Sequence, residues 1–215
     1  MNKDDAVLQF LVEQEGFEPR TYIPTGKDGK VIGPSGLTFG GGIDIGQMNL
    51  REFKALGLSS DTEESLLPYV GKKGAEALKV SKEIGHFNID PKEAKAATQM
   101  KIEKSKNQMR KAYPKWDELS VAQQAVGLSM LHNFGGASLK YNTMKAINSG
   151  DLPKAISLLK NPEEWSNPEL QERRNREADL LQSYFVSQQQ QEAQQQAQQQ
   201  AQQQRPASIL NQVGR

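Results

Sequence analysis

Apolar positions recur along this chain with two spacings, and the change from one to the other falls at Glu15-Gly16. Asn2 and Asp4-Asp5 suit a helix cap and first turn, and the apolar set Ala6, Val7, Leu8, Phe10, Leu11 and Val12 follows. Leu8, Leu11, Val12 and Glu15 stand at i, i+3, i+4 and i+7, so the spacing predicts a helix whose apolar stripe Glu15 continues. Gly16 is its stop. Glu13 falls off the stripe and reads as an ordinary surface acid.

Beyond Gly16 the period shortens to two. Thr21-Tyr22-Ile23 reads as a short strand, Pro24 to Gly29 as a turn, Val31-Ile32 as the returning strand, and Gly33-Pro34-Ser35-Gly36 as a second turn. From Leu37 to Gly46 the chain reads as extended. Leu37, Phe39, Ile43 and Ile45 share one face; Thr38, Gly40, Gly42 and Asp44 share the other. Glycine weakens a strand, and close approach of a ligand is one reason to keep it there.

Helical spacing then returns. Asp90-Pro91-Lys92-Glu93 opens one helix, and Ser120-Val121-Ala122-Gln123 spells the capping box of another. Ala125, Leu128, Leu131 and Phe134 are the buried positions of the second, and Gly135-Gly136 stops it. Asn167-Pro168 supplies the cap and first residue of a helix carrying Leu170, Arg173, Arg174, Glu177 and Leu180. From Gln188 to Gln204 the chain is almost wholly Gln, with Ala at every fourth position. Such a segment extends the helix or stays disordered, because it has no large side chains to bury. These patterns divide the chain into a folded body, residues 1–187, and a Gln/Ala-rich extension, residues 188–215.

Composition narrows the chemistry. The 215 residues carry a net charge of +1 and no cysteine, which excludes a disulfide frame, a thiol nucleophile and a zinc–thiolate site. The length allows one domain with a full core or two small lobes. Two histidines without an H-E-x-x-H motif speak against a catalytic zinc, so no metal and no organic cofactor is expected. The N-terminal stretch does not read as an export signal, and no membrane span is expected. Basic residues crowd Lys92 to Lys115. They read first as a solvated helix face and second as an attraction to an anionic cell wall. Nucleic-acid binding is not expected, since the charge is balanced and no aromatic platform is interleaved.

The candidate chemistry is carboxylate chemistry. At the C-terminal end of its helix Glu15 meets the negative end of the dipole, and on the apolar stripe it meets desolvation. Both effects favour its protonated form, which a general acid requires. The plain alternative is a surface Glu that happens to precede a glycine. Thr38 and Asp44 are the reactive-looking groups on the glycine-rich face. Gly40-Gly41-Gly42 lacks the spacing of a dinucleotide loop, and no Lys-Ser or Lys-Thr pair follows as in a phosphate loop. His132, alone on its helix, reads as a hydrogen-bonded structural residue.

Glu15-Gly16-Phe17, Tyr22, Thr38, Gly40, Gly42 and Asp44 together resemble the opening of the phage-type lysozymes, glycoside hydrolase family 24, and in particular the pesticin-like muramidase branch. The resemblance spans roughly residues 5 to 187 and is weakest from about 60 to 90, a stretch that reads as an insertion. It implies a mostly helical α+β lysozyme-like fold, with a small N-terminal β-lobe and a larger helical lobe. It implies Glu15 as the catalytic acid, with Thr38 and Asp44 across the cleft. It implies Tyr22, Gly40, Gly42, Asn133 and Arg174 as substrate-binding. The better-known phage branch places its Asp early in the hairpin, where this chain has Pro24 with Asp28 a few residues on. Asp44 is therefore the expected second carboxylate and Asp28 the reserve. Arg173 and Arg174 are alternatively surface ion-pair residues.

The implied activity is cleavage of the β-1,4 bond between N-acetylmuramic acid and N-acetylglucosamine in bacterial peptidoglycan. The expected setting is a phage virion, or host cytoplasm during synthesis, with action on the cell wall. The Gln/Ala extension would attach the body to other virion proteins. A catalytically silent virion module of the same shape is the alternative. A bacteriocin-like toxin would need import segments, for which no room is expected ahead of residue 5.

Overall fold

Val7, Leu8 and Leu11 are buried along one side of helix α1 (Lys3–Glu15), and Gly16, at φ +73°, turns the chain out of it. The computed structural model describes residues 3–26, 28–163, 165 and 168–203. They fall into two units, divided between Asn148 and Ser149.

In the first unit three antiparallel strands follow α1: β1 (Glu18–Tyr22), β2 (Thr38–Gly40) and β3 (Ile43–Asp44), in that order across the sheet. The expected pairing of Thr21–Ile23 with Val31–Ile32 is replaced. Thr25 and Val31 make one bridge, Ile32 is exposed, and the loop closes through Gly26 N donating to Lys30 O and Ile32 N donating to Pro24 O, at 2.8 and 2.9 Å. β1 pairs instead with β2. Burial decides between the partners, because Leu37 and Phe39 enter the core with no exposed surface whereas Ile32 has nothing to cover it. A Phe side chain so buried contributes about 1.5–3 kcal/mol.

The stretch from Leu37 to Gly46 is likewise not one extended strand. It folds back at Gly41-Gly42 as a hairpin, with Phe39 opposite Ile43 and Thr38 opposite Asp44. Each pair sums to 82, an even number, so residues of like parity stay on one face. The period-two pattern therefore survives the fold: Leu37, Phe39, Ile43 and Ile45 are all fully buried.

Helices α2 (Leu50–Lys54), α3 (Ser60–Leu66) and α4 (Gly74–Ile84) come next. Phe53, Leu66, Tyr69, Ala77 and Ile89 join Leu37, Phe39, Ile43 and Ile45 in one core. The region expected to be an insertion thus supplies Leu66, Tyr69, Ala77 and Ile89 to the β-lobe core. Asn49 and Glu52 cap α2 reciprocally, and Asp90 caps α5 (Pro91–Ala112) by accepting from Lys92 N and Glu93 N.

The basic run on α5 is more than a solvated face. Lys104 pairs with Glu52 at 2.6 Å and Arg110 with Asp117 at 2.9 Å, while Lys106, itself buried, reaches Glu103 at 2.8 Å. Helix α6 (Val121–Phe134) has the expected capping box at Ser120 and Gln123. Residues Ala122 to Leu131 of α6 are all buried, and the amides of Gln123 and Gln124 among them donate to Ile147 O and Trp116 O. A Cβ at Gly127 would stand 2.9 Å from the Trp116 ring, so glycine admits that ring against α6. Phe134 is half-buried rather than core, and its ring lies 5.5 Å from that of Tyr141. α1 packs on α6, and α7 (Asn142–Ser149) is tied to α6 by Gln123 Nε2 donating to Ile147 O.

In the second unit α8 (Leu152–Lys160) packs against α9 (Pro168–Gln203). Asp151 caps α8. Leu159, Ala178 and Leu181 are buried, and Trp165 Nε1 donates to Leu158 O at 3.1 Å. α9 runs unbroken from Pro168 through the Gln/Ala segment, whose residues 189–200 are exposed. The fold is thus mostly helical α+β with one small antiparallel sheet.

Candidate active site

Glu15 is the last residue of α1, at the negative end of the helix. Its side chain lies outside the described residues.

Thr38 and Asp44 face each other directly across β2 and β3. Thr38 is buried, and its Oγ1 donates to Gly36 O at 3.2 Å. The sheet face expected to be bare is therefore covered at this position. Asp44 is half-buried. Its Oδ1 accepts from Gly46 N at 2.9 Å and from Gly36 N at 3.0 Å, and Oδ2 lies 3.2 Å from the same Gly36 N. The carboxylate thus caps the 3₁₀ turn Ile45–Gln47 and fastens the loop residue Gly36, ahead of β2, to it. The two glycines are required here. Gly36 and Gly46 lie back to back, and a Cβ on Gly36 would stand 2.6 Å from Gly46 Cα. The two N–H groups fix the carboxylate in direction, with Oδ2 the less engaged oxygen.

Tyr22 is half-buried on β1, with Thr38 as its cross-strand partner. The pairs Glu18–Gly40 and Tyr22–Thr38, separated by an irregularity in register, put Glu18 and Tyr22 on the same side of the sheet as Thr38 and Asp44. Asp28 stands in the exposed loop between β1 and β2, with Oδ1 accepting from Lys30 N at 3.1 Å and Oδ2 3.6 Å from Lys30 Nζ.

Gly40 and Gly42 have structural reasons that the sequence did not reveal. A Cβ on Gly40 would lie 2.8 Å from Thr98 Oγ1, and one on Gly41 2.7 Å from Thr98 Cγ2. Helix α5, not a ligand, occupies that space. Thr98 Oγ1 also accepts from Gly41 N at 3.1 Å while donating to Ala94 O at 2.8 Å. Gly42, at φ +72°, offers its carbonyl to Lys101 Nζ at 2.7 Å. Lys101 Nζ in turn lies 3.1 Å from His132 Nε2. His132 is hydrogen-bonded, as expected, and Lys101 links the hairpin turn to α6. No motif marked Lys101; only its place in a crowd of lysines was visible.

Asn133 is an exposed residue near the end of α6. Arg174 belongs to the second unit. It is fully buried, its Nη2 is 2.7 Å from Glu177 Oε1, and its guanidinium lies 5.5 Å from the centroid of the Trp165 ring. Arg173 reaches the same Glu177 oxygen at 3.5 Å. The alternative of surface ion pairs is therefore corrected: Glu177 and Arg174 are both fully buried.

The family model described as "Pesticin: Bacterial toxin homologue of phage lysozyme, C-term" matches residues 6–149. Among curated proteins no match is found.

Proposed function

Since the chain belongs to this pesticin family of phage-lysozyme homologues, we propose that it hydrolyses peptidoglycan as a muramidase, cutting the β-1,4 bond between N-acetylmuramic acid and N-acetylglucosamine. The observation that carries the reading is the order and register of three groups. A helix ends in Glu15, and the hairpin that follows sets Thr38 opposite Asp44 on the polar side of the sheet.

In this mechanism the Glu15 carboxyl gives its proton to the glycosidic oxygen as the C–O bond breaks. Asp44 takes a proton from water as the water oxygen bonds to the anomeric carbon, and Thr38 orients that water. The leaving sugar departs as a neutral alcohol, and Glu15 is left as a carboxylate. Two carboxyl groups roughly 6.5–9.5 Å apart give inversion, and about 5 Å would make Asp44 a nucleophile with retention. The fixed direction of the Asp44 carboxylate supports the role of a base held for water. The exposed, Lys30-paired Asp28 has no such support. Tyr22, Gly42 and Asn133 remain the proposed substrate contacts; Gly40, packed against Thr98, and Arg174, fully buried on Glu177, do not.

The finer setting is also proposed. The chain is a phage-type, virion-borne wall hydrolase of glycoside hydrolase family 24, and the exposed Gln/Ala portion of α9 attaches it to other virion proteins. Turbidity clearing of purified peptidoglycan, with Glu15→Gln as the control, tests the activity. Clearing by the parent and none by the variant is the expected result. Equal clearing by both removes Glu15 from the mechanism, and no clearing by either leaves a silent module of lysozyme shape.

A further inference from the structure

The sheet continues past its outer strand. Thr21 N donates to Phe87 O and Phe87 N to Thr21 Oγ1, each at 2.8 Å, and Ile89 N donates to Pro19 O at 3.1 Å. Arg20 pairs antiparallel with Asn88. That register sets Tyr22 opposite His86, and residues opposite one another point to the same side. The odd positions turn inward: Thr21 and Ile89 are buried, and Phe87 meets the Tyr69 ring edge-on at 6.3 Å. The even positions remain outside, with Glu18, Arg20, His86 and Asn88 exposed. The side of the sheet that carries Thr38 and Asp44 therefore extends across β1 to His86.

A groove of about 470 Å³ runs along this outer margin, lined by Glu18, Arg20, Thr21, Tyr22, Ile23 and His86. Its volume is within the range of small-ligand sites, about 300–1,000 Å³. Its charged side chains are Arg20 and Glu18. The Glu18 carboxylate turns back on its own strand, Oε1 accepting from Arg20 N at 2.9 Å. Among the described residues no carboxylate pairs with the Arg20 guanidinium. A guanidinium fork beside an imidazole and a phenol ring matches a planar carboxylate on a short peptide better than a neutral sugar.

We propose that this groove receives a carboxylate of the peptide stem that hangs from the glycan strand, gripped by Arg20, with the Tyr22 ring and the His86 ring, held by Ser81 Oγ at 3.0 Å, as its walls. This rests on the peptidoglycan-hydrolase reading, because that substrate brings a sugar chain and a carboxylate-bearing peptide to one sheet face together. Arg20 is then a specificity residue, not a catalytic one.

The test titrates the full chain by calorimetry with a soluble muramyl peptide bearing free carboxylates, and with the same compound amidated at those carboxylates. Amidation should weaken binding about five- to tenfold, the scale of one partly exposed charged hydrogen bond. Arg20→Gln should weaken the free acid as much and abolish the discrimination, with Arg20→Lys between the two. On intact wall Arg20→Gln should raise KM and leave kcat unchanged; on glycan stripped of its stems it should match the parent. The proposal is overturned if the parent binds acid and amide equally or binds neither, or if Arg20→Gln still discriminates. Clearing of wall by a parent that does not discriminate sinks the groove and leaves the hydrolase standing. Discrimination by a parent that clears no wall does the reverse.

Discussion

At Asp44 one carboxylate holds two backbone N–H groups and faces Thr38 across the hairpin, so chemistry and architecture meet in the same oxygens. Asp44→Asn keeps the volume but replaces an acceptor oxygen by a donor. It should lose hydrolysis by about a hundredfold or more, as for removal of a general base. It should also lose about 1–3 kcal/mol of stability from mismatched N–H groups. Asp28→Asn, in an exposed loop, should change neither. Clearing assays well below the melting transition, alongside thermal melts of both variants, separate the two effects; a dead Asp28 variant with a live Asp44 variant would reverse the assignment. Glu15→Gln should abolish clearing while melting at or above the parent temperature, because neutralising an acid at a helix C-terminus relieves an unfavourable charge. A markedly lower melt would show Glu15 to be structural instead.

Among elements, the β2–β3 hairpin and α5 fit together through the absence of side chains on one and Thr98 on the other. Gly41→Ala brings Cβ against Thr98 Cγ2 and should cost about 1–3 kcal/mol. Thr98→Ser removes that methyl and keeps the hydroxyl that accepts from Gly41 N. The double variant should therefore recover most of the loss, and additivity of the two single effects in denaturant melts would refute the contact. Between α2 and α5, the Lys104 hydrogen bond, helped by Asn49 N–H, holds the Glu52 carboxyl below its ordinary range of 4.5. A depressed folded-state value contributes stability above pH 4.5 and loses it as pH falls through the folded value. Glu52→Gln should thus melt slightly below the parent at pH 7, by about 0.2–1 kcal/mol, and the gap should close on acidification. A gap that widens in acid contradicts the pairing.

The helix caps were legible at this scale because Ser120, Gln123 and Asp90 act within one turn of chain. The face shared by Thr38 and Asp44 was legible because parity is a local property. The hairpin was not, since Gly41-Gly42 continues a period-two pattern as readily as it breaks one. Nor was the choice of β2 over Val31-Ile32 as partner for β1, which depends on burial among Phe53, Leu66 and Tyr69, contributed from far along the chain.

For the molecule as a whole, the family match ends at residue 149 while α9 runs on to Gln203. Residues 189–200 of that helix are exposed, so a chain ending at 187 should clear wall and melt as the parent does. Its far-ultraviolet helical signal should fall by the share of residues 188–203. Loss of clearing on truncation would tie the extension to catalysis. Among the described residues no helix is long and apolar enough to cross a membrane. Changes of length inside the β-lobe are constrained far more sharply. One glycine inserted between Gly40 and Ile43 has two outcomes: it loops out as a three-residue turn with Phe39 still opposite Ile43, or it slips β3 by one residue and turns Ile43 and Ile45 outward. The fully buried isoleucines favour the first, and its cost then falls on the ties of the turn to α5, Gly41 N to Thr98 Oγ1 and the Gly42 carbonyl to Lys101 Nζ. The two-residue turn is thus the seam by which the helical part of the first unit registers the strand that carries Asp44.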